Sequence, residues 1–97
     1  MEDNKCVVLD LTGCNYWGEL HQRIKEAFDF PDYYGENWDA FYDLLCMDSQ
    51  AERIIITGKS EMSSRLENQF ERMCATLDDA QKHLASFGIP LTYEIEE

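Results

Sequence analysis

The chain has 97 residues, 44% hydrophobic and 12% aromatic, which suits a single domain spanning 1–97 that folds without disulfide or metal staples. Its 20 acidic and 8 basic residues give a formal net charge of −12. Nucleic acids and anionic membranes are bound through Lys and Arg, so neither is expected as a partner, whereas a cationic protein is. No stretch approaches the roughly 18 consecutive apolar residues of a membrane span, and Met1-Glu2-Asp3-Asn4-Lys5 lacks the features of a secretory signal. A cytoplasmic location is therefore expected, with Cys6, Cys14, Cys46 and Cys74 reduced; they are widely spread and contain no C-x-x-C pair.

In chain order, Cys6–Leu11 reads as a first strand ended by Thr12-Gly13. Asn15 is the predicted N-cap of a helix whose apolar positions are Trp17, Leu20, Ile24, Ala27 and Phe28, stopped by Phe30-Pro31. A tight loop, Asp32–Glu36, leads to Asn37 as a second N-cap and a short helix reaching about Cys46. Gly35 is expected to take a conformation closed to residues with a β-carbon. Arg53–Thr57 is a continuous β-branched run, as in a central strand covered on both faces. Gly58 and Ser60 open a long helical segment, with a break expected at Ser63-Ser64. Its stripe of Met62, Leu66, Phe70, Met73, Leu77, Ala80, Leu84 and Phe87 faces the core, and Gly88 and Pro90 end it. Leu91, Tyr93 and Ile95 alternate with polar residues, as in an edge strand. The order β-α-α-β-α-β predicts an α/β fold with a three-stranded parallel sheet in order 1-2-3 and helices mainly on one face.

The informative segment lies between the first two strands. From Glu26 to Glu52 there is no Lys, Arg or His, yet the stretch holds Glu26, Asp29, Asp32, Glu36, Asp39, Asp43, Asp48 and Glu52 together with seven aromatic residues. The aromatics argue against disorder and for an interaction surface. On a helix, Ala40, Phe41, Leu44 and Leu45 share the core side, and Trp38, Asp39, Tyr42 and Asp43 share the other. Like charges four residues apart cost a few tenths of a kcal/mol, and a merely solvated face would more often alternate signs. Trp and Tyr mixed with charge match the composition of interface hot spots. Tyr33 and Tyr34 are placed beside this face, with the alternative that one of them folds back onto the core. The alternative for Trp38 or Tyr42 is packing beneath the long helix.

The run Pro31-Asp-Tyr-Tyr-Gly-Glu-Asn-Trp-Asp-Ala-Phe-Tyr-Asp-Leu-Leu45 closely resembles the signature of the barstar family, ribonuclease inhibitors paired with small secreted nucleases of the barnase type. The Leu20-His21 pair and the order of the later elements fit as well. The resemblance implies an intracellular inhibitor, monomeric when free, with an immunity role of the toxin–antitoxin kind and a basic extracellular-type ribonuclease as partner. It implies that Asp43 enters the nuclease's phosphate site, that Asp39 pairs with a second arginine, and that Tyr33 stacks on the catalytic histidine. Gly35, Asn37, Trp38 and Tyr42 are further implied contacts, with Tyr42 where a tryptophan is familiar and Trp38 where a leucine is; Tyr34 joins the candidate contacts from its place beside the helix face. A late-helix glutamate of the family has no clear counterpart: His83, Gln81 or Asp79 could occupy its place, and only Asp79 would keep the charge.

Two other readings compete. An acidic regulatory module of the same fold could bind a basic partner that is not a nuclease. An enzyme would need convergent groups; Asp39, Asp43 and Asp48 could in principle hold Mg²⁺, but no His or Lys accompanies them, and His21 and His83 have no evident partner. No catalytic residue, cofactor or metal is therefore expected.

Overall fold

The computed structural model describes residues 6–32, 34–35, 37–47 and 52–96. The elements are β1 (Cys6–Asp10), α1 (Trp17–Phe28), α2 (Trp38–Met47), β2 (Arg53–Thr57), α3 (Glu67–Ala85) and β3 (Thr92–Ile95), with two 3₁₀ turns, Lys59–Glu61 and Ser64–Leu66, ahead of α3. The sheet is parallel in order β1-β2-β3, with Val7 opposite Ile54 and Ile54 opposite Tyr93.

One face of the sheet is covered and the other is open. Val7, Leu9, Ile54 and Ile56 are buried, whereas Val8 is 55% exposed and its neighbour Ile55 is half-buried. The β-branched run of β2 therefore does not mean cover on both sides, as the sequence suggested. Parallel crossovers of the usual hand place their helices on the same face, and the open face carries Val8, Ile55 and the exposed Arg53–Glu94 ion pair.

Helix ends differ from the sequence expectation in ways that local hydrogen bonds explain. Asn15 does not cap α1. Extended Tyr16 occupies that place, and Glu19 reaches back to accept the Asn15 N–H at 3.0 Å. That bond, and then Arg23 at 3.1 Å, holds the Glu19 carboxyl below its ordinary range. Arg23 also donates to the carbonyls of Asp10 (2.9 Å) and Thr12 (2.7 Å), fastening α1 to the end of β1. The helix stops at Asp29, which adopts the left-handed conformation (φ 57°).

The segment after β2 does not become helical at Gly58 or Ser60. Gly58 sits at φ 74°, where a β-carbon would collide with the backbone nitrogen and hydroxyl of Thr12. Ser63 accepts the Arg65 N–H at 3.3 Å, and α3 begins only after Leu66. Most of the predicted stripe is buried, from Met62 to Leu84, but Phe87 is 67% exposed. α3 ends at Ala85, Gly88 turns at φ 75°, and the Ile89 N–H bonds back to Leu84, so Phe87 lies beyond the last core-facing turn. α1 packs on β1, and α2 lies against α3.

Candidate functional site

The site grows from α2. Asn37 caps it: the Oδ1 accepts the Ala40 N–H at 2.8 Å, and Nδ2 donates to the Gly35 carbonyl at 3.2 Å. Gly35 does not occupy the left-handed region, contrary to the sequence expectation. Its role is spatial, since a β-carbon there would stand 3.2 Å from Asn37 Nδ2 and press on the cap. Phe41, Leu44 and Leu45 anchor the inner side of the helix, with Phe41 wedged among Phe28, Phe30 and Trp38.

Beneath the N-terminus of α2 lies a buried polar hinge. His21, the buried polar side chain among the described residues, shares a 2.6 Å hydrogen bond between Nδ1 and the Tyr34 hydroxyl, and its ring lies 4.5 Å from that of Trp38. Tyr34 is only 6% exposed, so its ring supports the loop from behind and is not a surface contact; it takes the alternative in which one tyrosine of the pair folds back onto the core. The cause is the hydrogen bond, which pairs His21 Nδ1 with the Tyr34 hydroxyl in an apolar setting. Tyr33, the other tyrosine of the pair, lies outside the described residues.

On the outer side, Asp39 and Asp43 are exposed, and among the described residues neither makes an ion pair or a hydrogen bond. Asp32, by contrast, is matched by Lys25 at 3.2 Å. Trp38 and Tyr42 are half-buried between the outer face and the core. Trp38 donates from Nε1 to Gln69 of α3 at 2.9 Å, so packing against the long helix accounts for part of its surface. Partial burial pushes the Tyr42 hydroxyl up, with Cys46, Asp79 and Asp43 adding to the effect, and it stays protonated.

Two shallow grooves separate α2 from α3. One, of about 580 Å³, is lined by Trp17, Trp38, Asp39, Gln69, Arg72 and Thr76, among others. The second, of about 420 Å³, is lined by Trp38, Asp39, Tyr42, Thr76, Asp79 and Lys82. Asp79 thus shares a groove with Asp39 and Tyr42. Gln81 instead donates to the Leu91 carbonyl at 2.8 Å, tying α3 to the start of β3. His83 packs between Tyr42 (6.1 Å) and Phe87 (5.2 Å). The groove wall of Gln69, Arg72 and Thr76 was missed in the sequence, although spacings of three and four with Asp79 and His83 mark one helical stripe.

The sequence profile of the family described as Barstar (barnase inhibitor) matches residues 4–96. The chain belongs to the barstar family. A Bacillus subtilis (strain 168) protein named "Putative ribonuclease inhibitor YrdF" is 58% identical over 26 residues, a match covering 27% of this chain and 29% of that relative. The parallel α/β sheet in order 1-2-3 agrees with barstar-family membership. In this barstar-family chain, the described residues contain no group of three or more His, Cys, Asp or Glu side chains that could hold a metal ion, and no helix long and apolar enough to cross a membrane. Asp48, the third carboxylate of the Mg²⁺ reading, lies outside the described residues.

Proposed function

We propose that this barstar-family protein is a single-domain, monomeric inhibitor that acts inside the cell by closing the active site of a small, basic ribonuclease of the barnase type. The observation that carries this reading is the pair Asp39 and Asp43, exposed on one helix face with no ion pair to either among the described residues. Such a face leaves like charges to be relieved by an incoming cation. A nuclease active site must gather Arg, Lys or His to hold an RNA phosphate, and a carboxylate can occupy the same place. Asp43 then stands in for the phosphate, Asp39 takes a second guanidinium, and Tyr33, Gly35, Asn37, Trp38 and Tyr42 complete the contact. Asp79 adds a carboxylate from α3. The reaction is blocked by occupancy, with no step of covalent chemistry on the inhibitor.

The test is an RNA-cleavage titration against a panel of barnase-type nucleases. Stoichiometric loss of activity is expected with at least one of them. Asp43→Ala should weaken that complex by at least about 2 kcal/mol, roughly thirtyfold, as for an interface hot spot. A panel that stays fully active at micromolar protein would overturn the inhibitor reading and leave an acidic module for another basic protein.

A further inference from the structure

In a chain with 20 acidic residues, a cation left without a carboxylate needs a reason. Within the fold, Arg23 holds Glu19, Lys25 holds Asp32, Arg53 holds Glu94 and Lys59 holds Glu67. Of the other described cations, Arg65 precedes α3 and lines neither groove, whereas Arg72 and Lys82 both line the grooves beside Asp39. Arg72 shares the first groove with Trp17, which is 46% exposed, and with Trp38. Lys82 shares the second with Tyr42 and Asp79. Neither makes an ion pair among the described residues, so no salt bridge from either ties α3 to α2.

We infer that Arg72 and Lys82 are specificity-determining residues that receive carboxylates of the partner, so that the surface reads a pattern of both signs. The inference rests on the inhibitor reading and specifies its target. The nuclease must carry acidic side chains at the rim of its cationic site, close enough to its arginines for Asp39 and Arg72 to be answered from one segment. A basic nuclease with a purely cationic rim is attracted at long range and then rejected at contact, because a guanidinium or ammonium faces a like charge there. Trp17 and Trp38 give the first groove apolar walls, which strengthen a charge pair seated between them by excluding water.

Net charge and local pairing predict opposite outcomes, which makes the test sharp. Arg72→Glu, Lys82→Glu and the control Arg65→Glu each add the same negative charge, and long-range attraction alone would make all three bind a basic nuclease as fast as, or faster than, the unmodified protein. Affinities and rates are measured against a barnase-type nuclease that the unmodified protein inhibits, with thermal melts confirming that each variant is folded. Arg72→Glu and Lys82→Glu are expected to bind at least about tenfold more weakly, through faster dissociation, while Arg65→Glu is not. A nuclease variant with a rim Asp or Glu changed to Lys should recover binding to Arg72→Glu. Arg72→Gln, which removes the charge without reversing it, should show a smaller loss in the same direction and serves if the reversal fails to fold. Arg72 and Lys82 variants that bind as tightly as Arg65→Glu would sink the specificity proposal and leave the inhibitor intact. An unmodified protein that inhibits no nuclease of the panel overturns both.

Discussion

His21 and Tyr34 are separated in sequence by a helix end and a loop, yet they meet at 2.6 Å in a setting that water does not reach. A buried donor or acceptor without its bond costs about 1–3 kcal/mol, so the pair favours the one loop conformation in which both are served. Tyr34→Phe keeps the ring and its contact with Phe30 but deletes the hydroxyl. It is expected to lower the free energy of unfolding by about 1–3 kcal/mol, measured by urea denaturation. Because the His21 ring touches Trp38, part of that loss should appear as weaker nuclease binding even though Tyr34 itself is buried. Unchanged stability in Tyr34→Phe would mean that the hydrogen bond does not hold the loop.

The second helix is short, and two aspartates on one side work against it. Its own propensity cannot sustain ten residues in water, so it depends on Phe41, Leu44 and Leu45 beneath and on the Asn37 cap at its start. Asn37→Ala should cost about 0.5–2 kcal/mol in stability and lower affinity in parallel, read by thermal melting and by inhibition of the nuclease. Affinity falling without stability would instead make Asn37 a contact residue only. Much of this architecture is written in the sequence, because periodicity reports burial directly. The alternation of Val7 and Leu9 with their exposed neighbours, the stripe from Met62 to Leu84 and the Asn37 cap all have a repeating or positional signal. Loop aromatics have none, so which of Tyr33 and Tyr34 turns inward could not be read. Likewise, the left-handed turn at Gly58, just ahead of the 3₁₀ turns, sits where Thr12, a residue far away in the chain, leaves no room for a β-carbon. The groove wall on α3 was visible as a stripe but indistinguishable from an ordinary solvated face until α2 was placed beside it.

For the molecule as a whole, a net charge of −12 acts in two directions. Self-repulsion among carboxylates weakens the compact state, while the same field draws in a cationic partner. Salt screens both, with a Debye length of about 30 Å at 0.01 M and about 8 Å at 0.15 M. Raising the ionic strength across that range is expected to raise the melting temperature of the free protein by a few degrees and to slow its association with the nuclease by at least about tenfold. Calorimetry and stopped-flow mixing measure the two separately. A melting temperature that falls with salt would show that the surface ion pairs, such as Lys59–Glu67, outweigh the general repulsion.

The pairing of β1 with β2 has a consequence for when the protein can act. The two strands lie on either side of the whole α1–α2 segment, and α2 also leans on α3. During synthesis from the N-terminus, the acidic helix leaves the ribosome well before the parts that hold it in shape. A nascent chain halted after residue 47 would carry Asp39 and Asp43 but neither α3 nor its Asp79, and would present neither aspartate in register. Inhibitory capacity should therefore arrive all at once, late in translation, and disappear just as abruptly when a protease removes the third strand and the helix before it.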